Sequence, residues 1–479
     1  MKKWILIFFT LVSCESIIIE SHGATYYVAP TTASPAGNNS NAGTIGAPWR
    51  TLTYAFSMAS PGDYIYLRGG TYTYAMLGQS LLEDNSGTAG NYIYVGAYES
   101  EKPVFNFSDY TFTTYTRGIR LENCSYVILD GIEIKNMEQP SDGRSTLTGV
   151  YLASNVSHCI IREMDVHHIG GWAFQWSTNI DDIQFINCDG HHCSDPYSST
   201  STPYDASDGF QSASTSATNI RFVGCRSYWN SDDGWDARFH DGDITWINCW
   251  AFWNGYRPGI FDTDADSRVH GGNGEGFKLG TKHYPSTTET RRTMYGCMAF
   301  ENYLLGFHHF IELGGAHYEF KCEIYNCTSY NNGSGGGFNF GVQYTAEDVL
   351  KNNVNFGDAR YINSSADHSY NSWNLGLTVS SADFVSISTT GMDGERNEDG
   401  SLPYLPFLRL HESSDLIDRG VDVGYSYNGS APDLGAYESG DPIVIPPSDP
   451  DVSGLFRYHQ GDTVWVFIKS GNKLLKKRE

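Results

Sequence analysis

Five segments of this 479-residue chain repeat one short pattern, and that repetition restricts the possible folds more than any other feature. They read INCDGHHC at 186–193, VGCRSYWN at 223–230, INCWAFWN at 247–254, YGCMAFEN at 295–302 and YNCTSYNN at 325–332. Cys188, Cys225, Cys249, Cys297 and Cys327 coincide, and five residues after each stand Cys193, Asn230, Asn254, Asn302 and Asn332. The cysteines are 37, 24, 48 and 30 residues apart. A shortest period with variable insertions is what a solenoid produces, each coil supplying a fixed rung while its loops differ. The small cysteines are expected to stack inside the coil and the asparagines to form an amide ladder from coil to coil. Chance recurrence of Asn-Cys would not keep one register behind five apolar strands.

A second column follows the first: Gly209-Phe210-Gln211, Gly234-Trp235-Asp236, Gly276-Phe277-Lys278, Gly306-Phe307-His308 and Gly337-Phe338-Asn339. Strand alternation turns each aromatic inward, so Gln211, Asp236, Lys278, His308 and Asn339 share one outward line. Stacked coils lie about 4.8 Å apart, which makes polar groups distant in sequence into neighbours.

The ends and the composition agree with a solenoid. The chain has 51 glycines, 14% aromatic and only 18% charged residues, which suits short strands and turns. A helical pattern placing Leu52, Ala55, Phe56 and Ala59 on one side is expected to cap the open N-terminal end. Coils are expected to run to about residue 440, with the main domain at 24–440, a linker at 441–450 and a tail of unassigned role at 451–479. Lys2 and Lys3 precede an apolar run from Trp4 to Val12, too short to span a membrane, so residues 1–23 read as an export signal. Leu11-Val12-Ser13-Cys14 also fits a lipobox, with Cys14 as the lipid-bearing residue, so release into the medium or periplasm and lipid anchoring both remain open. Of the ten cysteines, nine remain beyond that signal, so at least one is unpaired. The formal charge of −24 argues against nucleic acid or an anionic membrane as partner, because both are gripped through clustered Lys and Arg.

The repeat places Asp208 one coil before Asp232, Asp233 and Asp236. Four carboxylates so grouped repel one another and call for a hard cation with oxygen ligands, calcium above all. Ordinary Asp-Gly turns would explain any one of them but not their shared register. Lys278 occupies the outward column one coil further on. Beside a bound dication in a shielded groove its pKa should fall, as a general base requires. The alternatives are a solvated surface lysine or a salt-bridge partner for Glu275.

The set DGF at 208–210, NSDDGWD at 230–236 and GNGEGFKLG at 272–280 resembles the signature of polysaccharide lyase family 9, the pectate lyase L type, which includes rhamnogalacturonan-active members. The resemblance runs from ATYYVAP at 24–30 to APDLGAYE at 431–438. It implies an all-β, right-handed parallel β-helix with a helical N-terminal cap and an internal Asn ladder. It further implies that Asp208, Asp232, Asp233 and Asp236 ligate Ca2+ and that Lys278 is the Brønsted base. The expected substrate is an acidic plant cell-wall polysaccharide, pectate or the rhamnogalacturonan backbone, cut by β-elimination by a monomeric enzyme. The insertion from Gly255 to Asn273, carrying Arg257, Asp262, Asp264, Asp266, Arg268 and His270, is expected to shape the cleft. Arg257, Arg268, Arg291 and His308 are substrate-contact candidates by position. Two other readings stand beside this one: a metal-free glycoside hydrolase using the same aspartates, which leaves Lys278 without a role, and a sugar-binding solenoid without catalysis.

Overall fold

The computed structural model describes residues 23–440, apart from 113–114, 144–146, 199–201, 215, 260–265, 281–288, 311–319 and 342–347, together with the backbone of three strands within 456–478. The export signal with Cys14, the linker at 441–450, and Asp262 and Asp264 of the insertion lie outside the described residues.

Each central coil is built from three short strands. In one coil these are Arg226–Tyr228, Trp235–Asp236 and Ile244–Ile247; in the next they are Trp250–Phe252, Glu275–Lys278 and Arg291–Tyr295. Each strand pairs in parallel with its equivalent one coil on, Tyr228 with Phe252, Asp236 with Lys278 and Thr245 with Thr293. Two of the three bends in a coil are single residues with left-handed backbone. Asn187, Gly224, Asn248, Gly296 and Asn326, at φ between 49° and 63°, each precede a column cysteine. Asn and Gly tolerate this conformation best, which is why Asn-Cys and Gly-Cys recur. The second bend, at His192, Trp229, Trp253, Glu301 and Asn331, immediately precedes each member of the asparagine column.

The ladder forms as expected. Asn230 Nδ2 donates to Asn254 Oδ1 at 3.0 Å, Asn254 to Asn302 at 2.9 Å and Asn302 to Asn332 at 2.9 Å. At its start the Cys193 backbone N–H donates to Asn230 Oδ1. The five column cysteines are fully buried, and all nine described cysteines are free thiols. Inside, Phe174, Phe210, Trp235, Phe277, Phe307 and Phe338 stack face to face, with centroids 4.6 to 5.2 Å apart. Stacked aromatics add to the burial energy of each rung and hold its register.

The N-terminal helix, Leu52–Met58, buries Leu52, Ala55 and Phe56 against this core, and the Thr51 side chain caps its first turn. It therefore covers the end of the solenoid as its apolar face requires.

The coils stop earlier than residue 440. The last strand of the solenoid is Asp367–Ser369, and residues 370–440 are mostly irregular. The physical reason lies on the first strands of the coils, whose outer residues Trp250, Phe252, Met298 and Phe300 are apolar. Phe384, Met392, Phe407, Leu408, Leu416 and Leu434 cover them and form a second core. Arg226 of the solenoid and Arg396 of the covering segment both pair with buried Asp189, fastening the segment in place. The residues of the tail form a three-stranded antiparallel sheet, Phe456–Gln460, Thr463–Ser470 and Lys473–Arg478.

Candidate active site

The outward column is continuous. Gln211 is the register partner of Asp236, Asp236 of Lys278, Lys278 of His308 and His308 of Asn339. Just ahead of these strands, the segments following the second bend carry the aspartates. Oxygens of Asp208, Asp232 and Asp233 lie within 4.8 Å of one another, and all three residues are buried. Backbone amides fix their orientation: Asp233 N–H donates to Asp208 Oδ1 at 2.9 Å, Asn273 N–H to Asp232 Oδ1 at 2.6 Å and Glu275 N–H to Asp233 Oδ1 at 2.8 Å. Asp236 is outside that close grouping. Its Oδ2 takes a hydrogen bond from Lys278 Nζ at 3.2 Å, and its Oδ1 one from the Arg238 amide. Lys278 Nζ also donates to Asp233 Oδ2 at 3.0 Å and lies 4.9 Å from the centre of the Phe310 ring.

Charge is badly balanced here. Burial, then the Asp236 and Asp233 carboxylates, push Asp208 well above the ordinary carboxylate range, and burial with Asp233 and Asp208 does the same to Asp232. Burial raises Asp233 to about 7 despite the ammonium beside it. Two carboxylates 4.8 Å apart repel by about 3.5 kcal/mol at an effective dielectric near 20. Three such groups exceed what a single lysine can offset, and clustered oxygens backed by amide donors are the donor set a hard divalent cation takes. The residues present thus fit calcium. In the metal-free protein the expected fall in the Lys278 pKa is reversed: burial lowers it, but Asp233, Asp236, Glu275 and Asp232 outweigh burial and hold it well above its usual value. The lowering can appear only when a cation neutralises those carboxylates.

Of the four substrate-contact candidates, His308 is in the column, with Nδ1 2.8 Å from Glu275 Oε2. Glu275 thus pairs with His308 rather than with Lys278. Arg257 lies in the insertion, which folds back as an antiparallel pair, Tyr256–Arg257 with Ser267–His270. Its guanidinium covers the Tyr204 ring and its Nε donates to His270 O. Arg268 packs over Trp229, Trp253 and Tyr256 and pairs with Glu301, which fastens the insertion to the solenoid. Arg291 is on the third strand of its coil, paired with Glu289 and Glu323, and is not brought to the aspartate cluster. Sequence reasoning missed Asp195. This fully buried residue accepts from the Ser231 hydroxyl beside Asp232, and it falls in a loop with no counterpart in the repeat.

The parallel β-helix carries buried aspartates and a buried lysine on one face, and its fold is that of a polysaccharide lyase family. The right-handed β-helix region of Pel9A-like proteins matches residues 26–355, and the chain belongs to that family, polysaccharide lyase family 9. Pectate lyase L of Dickeya chrysanthemi is 32% identical over 419 residues, 86% of this chain and 90% of that one. Pectate lyase L of Paenibacillus polymyxa is 30% identical over 82% of this chain and 83% of its own length. The crystal structure of pectate lyase Pel9A superposes with a TM-score of 0.70 at 31% identity, over 87% of this chain and 97% of that one. A rhamnogalacturonan lyase, at 22% identity and a TM-score of 0.67, covers 81% of this chain and 97% of its own and shares the fold.

Proposed function

We propose that this protein is an exported, monomeric, calcium-dependent lyase that cleaves the galacturonate backbone of pectate by β-elimination. The observation that carries the reading is Lys278 Nζ, 3.0 and 3.2 Å from two buried aspartates, next to a three-carboxylate cluster with no other cation of its own among the described residues. The relatives at 30–32% identity are pectate lyases, which favours a pectate substrate over the rhamnogalacturonan backbone.

Asp208, Asp232 and Asp233 would hold the ion, with Asp236 at its edge. When bound, calcium supplies Lewis-acid polarisation of the uronate carboxylate and so acidifies the hydrogen on C5. Lys278, released from Asp233 and Asp236, presents its neutral amine to that hydrogen. It removes the C5 proton, the C–H electron pair becomes the C4–C5 double bond, and the C4–O bond breaks. The departing oxygen takes up a proton, so no water is consumed and a 4,5-unsaturated uronide remains. The buried amide donors at Asp208, Asp232 and Asp233 keep the carboxylates in place, so little reorganisation is needed at the moment of reaction.

The test is a purified-protein digest of polygalacturonate and of rhamnogalacturonan in parallel, read by the absorbance of the unsaturated product with and without chelator. Calcium-dependent product from polygalacturonate is expected. Saturated products that persist in chelator would indicate a hydrolase, and no product from either polymer would reject the pectic assignment. Mass analysis of the mature N-terminus reads whether export ends after Gly23 or on a lipidated Cys14.

A further inference from the structure

The outward column that carries Asp236 and Lys278 continues toward the N-terminal end of the solenoid. Within the strands Leu147–Arg162 and Gly171–Ile186, Tyr151 pairs in register with Gln175, and Gln175 pairs with Gln211. Thr148 pairs with Trp172, and the Ala173 amide donates to Asp208 O, so Trp172 stands one coil ahead of Asp208. Trp172, Asp208 and Asp233 lie three residues before Gln175, Gln211 and Asp236, which keeps two columns side by side along the axis.

Trp172 differs from the other tryptophans. Among those whose side chains are described, it alone joins neither apolar core; it is half-buried and stacks on no other described ring. The polar groups beside it form a relay. Thr148 Oγ1 donates to Gln175 Oε1 at 3.5 Å, and Gln175 Nε2 donates to Gln211 Oε1 at 2.5 Å. The Gln211 amide hydrogens are left without a partner among the described residues, at the register position next to Asp236. An aromatic surface bordered by a few oriented polar groups is the usual make-up of a small-molecule or sugar site.

Thr148, Tyr151, Trp172 and Gln175 are all uncharged, so on a chain of formal charge −24 this stretch does not repel a polyanion. Successive coils lie about 4.8 Å apart, close to the length of one pyranose ring. A chain laid along the axis with one sugar at the aspartate cluster therefore brings its neighbour over Trp172.

We propose that Trp172, Gln175 and Gln211 form the subsite for the sugar next to the one that is cleaved. Trp172 stacks on the apolar face of the pyranose, and the Gln211 amide, oriented by Gln175, donates to a hydroxyl. This inference rests on the lyase reading above.

The test uses calcium-loaded protein. Trp172→Ala should raise KM for polygalacturonate by roughly tenfold or more, with little change in kcat, calcium affinity or unfolding temperature. Trp172→Phe, which keeps a ring face, should recover most of that loss and replaces the alanine variant should it not fold. Gln211→Leu should raise KM by about 2–10-fold. A second readout needs no turnover: in Lys278→Met protein, galacturonate oligomers should quench indole fluorescence, and adding Trp172→Phe should remove that quench. A KM within about twofold of the wild type in Trp172→Ala, or a quench undiminished by Trp172→Phe, would overturn the subsite while leaving the lyase reading intact. A Trp172-dependent quench in wild-type protein that forms no unsaturated product would reject the lyase reading and support the subsite.

Discussion

Replacing Lys278 with Met removes the amine and keeps most of the side-chain volume, and it separates the residue's two roles. In the metal-free protein Nζ is 3.0 Å from Asp233 and 3.2 Å from Asp236, with all three side chains buried. At an effective dielectric near 20 each attraction is about 5 kcal/mol before desolvation is counted. Breaking a buried pair by removing one partner costs about 3–5 kcal/mol, because the other charge is left uncompensated. The metal-free variant should therefore be less stable than the wild type by about that amount. In saturating calcium the gap should shrink, because the ion takes over the compensation of Asp233 and Asp236. Calcium affinity should be equal or tighter, since the ammonium no longer competes for those oxygens. Turnover should nevertheless fall by about 10²–10⁴-fold, the usual loss when a general base is removed. The assays are denaturant unfolding with and without chelator, calcium calorimetry, and absorbance of the unsaturated product. Turnover above about a tenth of the wild type would place the base elsewhere. A marked loss of calcium affinity would show that Lys278 helps to build the ion site rather than competing with it.

Three other outcomes are expected. Asp232→Asn should weaken calcium binding strongly in calorimetry while the fold persists; unchanged affinity would move the ion away from the three-carboxylate cluster. In the metal-free protein Asp208, Asp232 and Asp233 bind protons more tightly folded than unfolded, so stability should fall as pH rises from the ordinary carboxylate range through about 7, the value for Asp233. Calcium affinity should rise over the same window with release of protons, and unfolding midpoints that rise with pH in chelator would contradict this. Asn254→Ala should cost about 1–3 kcal/mol, because it takes the Oδ1 acceptor from the Asn230 backbone and side-chain N–H groups and the Nδ2 donor from Ser227 O, while Asn230 Nδ2 keeps Gly190 O and Ser227 Oγ and Asn302 Oδ1 keeps the residue-254 amide; a change within about 0.5 kcal/mol in urea unfolding would mean that the ladder contributes register and not stability.

The solenoid was legible because its determinants are local and repeated. One left-handed bend before each cysteine, one before each asparagine and one inward aromatic per coil recur in fixed register, and parallel stacking converts that register into contact. Lys278 beside Asp236 follows from nothing more than two equivalent positions on neighbouring coils. The length of the solenoid was not legible, because its column changes chemistry. The Cys327 amide donates to Asn353 Oδ1, and Asn353 bonds Asn371, so asparagine replaces cysteine in the last coils. The covering segment that follows has no period to detect, and its buried apolar residues are defined only by the face they cover.

Site residues outside the repeat were harder still to read. Arg291 has the charge expected of a uronate contact, yet it sits on the third strand of its coil rather than the one that carries Lys278, and two glutamates already engage it. Arg268 is in the insertion as expected, but three aromatic rings and Glu301 hold its guanidinium, so it supports the wall of the cleft. Charge alone therefore does not identify the groups that meet an acidic substrate here. A chain with a formal charge of −24 can approach a polyanion only where its own carboxylates are neutralised. The cluster of Asp208, Asp232 and Asp233 concentrates that requirement at one place: without a cation it repels the substrate and holds Lys278 protonated. With one it can attract the uronate and release the amine, so a single binding event would govern both recognition and chemistry.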